Sequence, residues 1–134
     1  MRDLIVTAFV TLDGVMQAPG GPDEDPSGGF TQGGWSVPYW DDVMDAAMSE
    51  AFAQPFELLV GRRTYEIFAA HWPHVDERPE RGGTASQIDD PLAAALDSAR
   101  KHVASRTLTE LGWQGSTLLQ GDVATAVADL KAQD

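Results

Sequence analysis

The sequence predicts an α/β fold with a mainly parallel sheet and helices on both faces. Two observations lead to this prediction. Short apolar runs rich in β-branched residues alternate with amphipathic runs of helical period, and a glycine or another turn residue follows several of the apolar runs. Strands separated by helices pair in parallel, and ligands bind beyond their carboxyl ends. The residues that follow each predicted strand are therefore the first candidates for a functional site.

Four strands are predicted from these apolar runs. They cover residues 3–11, 56–60, 101–105 and 116–120. The carboxyl ends of all four strands carry chemically suggestive residues, which are Asp13-Gly14, Gly61-Arg62-Arg63-Thr64, Ser105-Arg106 and Gln120-Gly121. We expect these groups to gather at one edge of the sheet.

Helices are predicted over residues 40–52, 64–70, 91–98 and 123–132. The first has an apolar face and a mostly acidic opposite face. Asp89 or Asp90 is expected to cap the third helix, in which Pro91 suits the first turn, and Asp122 is expected to cap the last. Residues 19–34 hold six glycines and three prolines, a composition that predicts a long mobile loop.

The overall composition indicates one domain over residues 1–134, since 43% of the residues are hydrophobic and the chain is too short for two ordinary cores. The absence of cysteine excludes disulfides, thiolate metal sites and a cysteine nucleophile, and it fits a cytoplasmic protein. The N-terminal apolar run is too short to span a bilayer. A net charge of -12 makes nucleic acids and anionic membranes poor partners.

Basic residues are few and grouped. Five of the nine form two tight clusters, Arg62-Arg63 and Arg100-Lys101 with Arg106. Two interpretations stay open: a local anion site in an acidic protein, or chance grouping on solvated faces.

The segment from Gly61 to Tyr65 gives the strongest local signal, because a strand passes through glycine directly into a helix. Glycine lets a ligand approach the backbone, and the free amides and dipole of the helix attract a phosphate, to which Thr64 can add a hydrogen bond. A tight turn with Thr64 as a cap is the structural alternative. The spacing matches neither a Walker loop nor a Gly-x-Gly-x-x-Gly fingerprint. Ser105 and Arg106 could reach the same ligand.

Several segments together resemble a known family. They are Val10 to Gly14, Trp35 to Pro38, the helix that follows, and above all Leu58 to Tyr65. In these segments the chain resembles the dihydrofolate reductase fold, most closely the bacterial branch related to the reductase domain of the bifunctional riboflavin-biosynthesis deaminase-reductase. The resemblance runs through all 134 residues in element order.

This resemblance implies a three-layer, dihydrofolate-reductase-like fold that binds NADPH and transfers a hydride to a small heterocyclic substrate, most closely in the manner of 5-amino-6-(5-phosphoribosylamino)uracil reductase. Arg62, Arg63 and Thr64 would contact the cofactor phosphates. Ser105 and Arg106 would border the adenosine 2′-phosphate. Asp13 and Gly14, with the mobile loop, would cover the nicotinamide.

The resemblance also implies further C-terminal strands, which are missing after residue 132. We therefore expect that residues 1–134 are the N-terminal two-thirds of a longer chain, or that a second chain completes the sheet, and a homodimer is the expected assembly. A sheet with unpaired edges favours association.

The catalytic carboxylate is expected at Asp41 or Asp42. In true dihydrofolate reductases an acidic residue lies two positions beyond Trp-x-x-Pro, where this chain has Trp40 followed by these two aspartates. Each could orient substrate or relay a proton, or could simply complement the helix dipole. This departure argues against dihydrofolate as the substrate. Trp35 and Trp40 are candidates for stacking on the substrate, or anchors of the loop and helix.

The remaining polar residues suggest little chemistry. His71, His74 and His102 lack paired carboxylates at a metal-binding spacing, so no metal site is expected. The serines lack a visible base, which argues against a hydrolase. Two alternatives to the leading hypothesis remain, a nucleotide-binding module without turnover and a dihydrofolate reductase.

Overall fold

The computed structural model describes residues 1–77 and 91–133. The chain divides into two compact units. Residues 3–46 form the N-terminal unit, and residues 1–2 together with 47–134 form the sheet unit. No helix of the described residues is long and apolar enough to cross a membrane.

The sheet unit contains three parallel strands in the spatial order β1 (Leu58–Gly61), β2 (Lys101–Ala104) and β3 (Ser116–Leu118). Leu58 lies opposite Lys101, which lies opposite Ser116. The predicted parallel sheet is therefore confirmed. Because all three strands run in one direction, their carboxyl ends lie at one edge.

The described residues contain four helices: α1 (Asp42–Ala51), α2 (Arg62–His71), α3 (Pro91–Ser98) and α4 (Val123–Ala132). Short 3-10 segments cover Ser27–Gly29, Val37–Tyr39 and Trp72–Glu77. The last two helices begin and end where the sequence predicted, and the α/β class is confirmed. The Asp122 carboxylate caps α4 by accepting the Thr125 N–H at 3.0 Å. The cap predicted at Asp89 or Asp90 lies outside the described residues.

The core of the sheet unit forms around Tyr65, Leu96, Val103 and Trp113, each less than 5% exposed. Helices α2 and α3 supply the first two of these side chains, β2 supplies the third, and the segment between β2 and β3 supplies the fourth. Side chains that alternate along a strand point to opposite faces, so Val60 and Val103 reach this core from one face of the sheet.

The strand predicted over residues 3–11 is absent. Ile5 and Val6 are 83% and 85% exposed, and no described backbone hydrogen bond pairs residues 3–10 with another segment. A strand is completed by hydrogen bonds to a neighbour, which β-branched composition alone does not provide. The prediction is wrong for this segment.

The glycine-rich loop over residues 19–34 is closed at its base by polar contacts. The Gln17 side-chain amide donates to the carbonyl oxygens of Asp25 and Ser27, both at 2.9 Å. The Trp35 indole N–H donates to the Gln17 carbonyl at 2.9 Å, and the Ser36 hydroxyl donates to the Pro19 carbonyl at 2.7 Å. These side-chain contacts act together with backbone hydrogen bonds from Gly34 to Ala18 and from Ser36 to Pro19. Movement of the loop on ligand binding stays a prediction.

Candidate functional site

The carboxyl edge of the sheet, comprising residues 61–64, 105–108 and 119–122, collects the phosphate-binding candidates of the sheet unit. Gly61 lies opposite Ala104 in the β1–β2 register, so the start of α2 lies beside Ser105. The Leu119 N–H donates to the Val103 carbonyl at 3.0 Å, which brings residues 120–122 to the same edge. The sequence prediction that these segments meet is confirmed within this unit.

The first turn of α2 is open. Gly61 is its N-cap and has no side chain to accept from the helix amides. The backbone at Gly61 has φ -78° and ψ 170°, which any residue adopts, and a Cβ built there would meet no atom within 4 Å. Neither backbone conformation nor crowding requires glycine here. The unoccupied space lies at the amides and positive dipole end of a ten-residue helix, where an anion is favoured.

Arg62 joins two parts of this edge. Its Nη1 donates to the Thr107 hydroxyl at 2.7 Å, and its Nε donates to Glu66 Oε1 at 2.8 Å. The arginine side chain remains 48% exposed. Exposed ion pairs contribute about 0–1 kcal/mol, so an incoming phosphate competes readily with Glu66 for the guanidinium.

Ser105 shapes the turn that follows β2. Its Oγ accepts the N–H groups of Thr107 and Leu108 at 3.2 and 3.1 Å. The turn presents Arg106, which is exposed, toward solvent. The hydroxyl proton of Ser105 is not used in these two contacts and is available to a ligand.

A second helix, α4, begins at the same edge but already has an acceptor. The Asp122 carboxylate accepts from both the backbone N–H and the hydroxyl of Thr125. These hydrogen bonds, the backbone one first, lower the pKa of Asp122 below its usual value. A negative charge therefore already lies at the start of α4, and the start of α2 is the better anion site.

The N-terminal unit holds the other six candidates. Asp13 Oδ1 accepts the Thr11 hydroxyl at 2.5 Å, which lowers the pKa of the Asp13 carboxyl. Gly14 has φ +89°, a conformation that favours glycine, in the turn that follows Thr11. Trp35 anchors the loop base, and Trp40 lies with its ring centroid 6.0 Å from that of Phe9.

The two candidate catalytic aspartates differ in their contacts. Asp41 Oδ1 accepts the Met44 N–H at 2.9 Å and so caps the first turn of α1. Asp42 is the first residue of α1 and is exposed. Asp41 therefore caps the helix, whereas the exposed Asp42 carboxylate lies in the first turn, where it also complements the helix dipole.

The histidines form no metal centre in the part of the chain that the structure describes, where no three histidine, aspartate or glutamate side chains gather suitably. His102 Nε2 instead lies 2.6 Å from Glu57 Oε2. The other oxygen of Glu57 lies 3.2 Å from Arg2 Nη1.

Lys101 is buried, unlike the basic residues near it in the sequence. The sequence grouped it with Arg100 and Arg106 as either an anion site or a chance grouping on solvated faces, but its side chain is 0% exposed at the amino end of β2. Burial lowers the pKa of Lys101, and the nearby Asp97 carboxylate opposes that effect. Strand alternation was the signal available in the sequence, because Lys101 is two residues from the buried Val103 and shares its face. Arg106 alone of this cluster reaches the carboxyl edge.

Comparison with known proteins agrees with this architecture. A family model described as the RibD C-terminal domain matches residues 2–134. The chain belongs to the RibD C-terminal domain family. No curated protein matches it significantly.

As a RibD C-terminal domain, the chain has a dihydrofolate-reductase-like fold, and the resemblance found in the sequence is confirmed. The family consists of the reductase domain of the riboflavin-biosynthesis deaminase-reductase and its relatives. An oxidoreductase domain that uses a nicotinamide cofactor is typical of a RibD C-terminal domain.

Proposed function

We propose that this chain is an NADPH-dependent reductase that transfers a hydride to a small heterocyclic substrate, of the 5-amino-6-(5-phosphoribosylamino)uracil reductase type. We further propose that it acts in the cytoplasm as a homodimer. The open first turn of α2, with Gly61 bordered by empty space, is the observation that most supports cofactor binding. The family provides the reaction class.

The cofactor phosphates are assigned to the carboxyl edge. Amides at the start of α2 donate to the pyrophosphate, assisted by Arg62, Arg63 and Thr64. Ser105 and Arg106 bind the adenosine 2′-phosphate, because a hydroxyl donor and an exposed guanidinium lie together on the turn after β2. When bound, the nicotinamide supplies the hydride.

Substrate contacts are assigned to the N-terminal unit. Asp13 and Gly14, together with the loop over residues 19–34, cover the nicotinamide and exclude water, while Trp35 and Trp40 stack on the heterocycle. Of the two candidate aspartates we assign the proton relay to Asp42, because Asp41 already accepts the Met44 N–H.

Arginine substitution tests the cofactor assignment. Arg106→Ala is expected to weaken NADPH binding about tenfold while changing NADH binding less, since a hydrogen bond to a charged group contributes roughly 1.5–3 kcal/mol. The measurement is quenching of dinucleotide fluorescence or calorimetric titration with both cofactors.

Arg100→Ala is the matched control for this experiment. Arg100 is an exposed arginine that precedes β2 at the opposite edge of the sheet, and its loss should leave both affinities unchanged. Equal losses of NADPH and NADH affinity in the Arg106 variant would remove the 2′-phosphate assignment.

A second candidate function is a nucleotide-binding module without turnover. The capping role of Asp41 favours it, because one of two candidate acids is already engaged in a helix cap. Mixing the protein with NADPH and a panel of pyrimidines and pterins separates the two functions. Cofactor binding without oxidation under all conditions supports the module, and steady loss of NADPH absorbance supports the reductase.

A further inference from the structure

Lys101 is a buried charge that packing alone does not explain. Its side chain is 0% exposed, its Nζ donates to the carbonyl oxygens of Asp97 and Gln114 at 2.6 and 3.1 Å, and it lies 4.0 Å from the centre of the Trp113 ring. A methionine would fill a similar volume without the cost of removing an ammonium from water. The positive charge therefore does more than fill space, because it holds two backbone carbonyl groups.

Asp97 strengthens the same group of contacts. Its Oδ1 accepts the Trp113 indole N–H at 2.8 Å, and its Oδ2 accepts the Gln114 side-chain amide. The Trp113 backbone N–H donates to the Tyr65 hydroxyl at 3.0 Å. We call Asp97, Lys101, Trp113 and Gln114 the lysine node. The node attaches the end of the segment between β2 and β3 to α3, and the Tyr65 hydroxyl attaches it to α2.

The segment between β2 and β3 covers residues 105–115. Its other end is the turn after β2, to which the proposed function assigns the 2′-phosphate. Ser105 Oγ holds the turn through the Thr107 and Leu108 amides, and the Thr107 hydroxyl accepts from Arg62. The segment is thus fixed at both ends, by the turn at the carboxyl edge and by the lysine node. If the lysine node were lost, Arg106 could occupy more positions. Binding of the cofactor would then have to restrict these positions, which would lower the affinity.

We propose that Lys101 is a positioning residue for the cofactor: by holding Trp113 and Gln114 against α3, its ammonium orders residues 105–115 and so sets the position of Arg106 without touching the ligand. This inference rests on the proposed function for its effect on binding. The ordering of the segment itself is independent of that function.

A double-mutant cycle tests the inference. Lys101→Met replaces the lysine by an apolar side chain of similar length and so removes the charge. It should weaken NADPH binding about tenfold, and Arg106→Ala made in the Lys101→Met background should cost less than about twofold further, because residues that act together are not additive. A purely structural lysine would give additive losses, which would overturn the proposal, as would wild-type affinity in Lys101→Met. Arg100→Ala, which removes the neighbouring exposed cation, is the control.

A measurement on the unliganded protein separates this proposal from the proposed function. Lys101→Met should shift the Trp113 indole N–H resonance and speed hydrogen exchange at Thr107 and Leu108 several-fold. If the wild-type chain does not bind NADPH, the proposed function fails, and unchanged exchange at these amides would then overturn the positioning role as well. If Lys101→Met does not fold, Lys101→Gln, which removes the charge and keeps a polar side chain, replaces it in both measurements.

Discussion

Glu57 lies between His102 and Arg2, and the stability that these contacts contribute should depend on pH. The hydrogen bond from His102 is the largest cause that lowers the pKa of Glu57 below its usual 4.5, burial opposes it, and Arg2 adds to it. A lowered pKa means that the folded state prefers the ionised carboxylate. The stabilisation is fully present above about pH 4.5 and is lost as pH falls through the lower, folded-state pKa.

We therefore expect Glu57→Gln to lower the free energy of unfolding at pH 7, and the difference from wild type to narrow as the pH falls below 4.5. Urea unfolding at a series of pH values from 7 to about 3 measures this difference. Glu110→Gln, at an exposed glutamate, is the control and should show little change at any pH. A Glu57→Gln difference that stays constant over this range would contradict the ion-pair interpretation.

At the scale of single residues, the sequence predicted which side chains follow the strands and missed those that depend on distant partners. Gly61, Ser105 and Arg106 were predictable because their position after a strand is a local property. The pairing of His102 with Glu57 joins residues 45 positions apart, and no local pattern encodes it. Lys101 was misassigned because charge was considered without the alternation of its strand.

The cap of α4 is the element-scale feature most open to test. Asp122→Ala removes the acceptor of the Thr125 N–H, and the loss should lower the free energy of unfolding. Asp122→Asn keeps a side-chain acceptor and should cost much less. Chemical denaturation of both variants checks this, and equal losses would show that hydrogen bonding is not what the cap contributes.

Helices were predicted better than strands for a physical reason. The bounds of α3 and α4 follow from Pro91 in a first turn and from Asp122 as a cap, both of which act within a few residues. A strand exists only where another strand accepts its hydrogen bonds. Residues 3–11 have strand composition but no such partner among the residues that the structure describes, whereas β1, β2 and β3 have neighbours in register.

For the whole molecule, the net charge of -12 should govern how fast an anionic cofactor arrives. At about 0.01 M salt the screening length is roughly 30 Å and an approaching anion meets the repulsion of the entire chain. At about 0.1 M it is roughly 10 Å, and nearby arginines dominate. Stopped-flow association of NADPH should accordingly become faster over this range. A rate that falls with added salt would show that the arginines at the carboxyl edge dominate even at long range.

At this same scale, fold class and family were predictable because they depend on element order over the whole chain, and the family match over residues 2–134 confirms them. The division into two compact units was not predicted, because length and composition favoured a single domain and carry no information on how contacts cluster within it. The site was less predictable than the fold. The sequence could not assign a role to Asp41, for example, because only the structure reveals that its carboxylate caps α1.

The parallel register also orders events during folding. Lys101 and its partner Ser116 are 15 positions apart in the sequence, whereas Leu58 and its partner Lys101 are 43 positions apart. Closing a flexible loop costs roughly 0.6 kcal/mol more for each doubling of its length, so β2 and β3 should pair before β1 joins them. In kinetic measurements Leu118→Ala should slow refolding, while Leu58→Ala should mainly speed unfolding. The strand that leads into the open helix turn would then be the last of the three to dock and the first to detach.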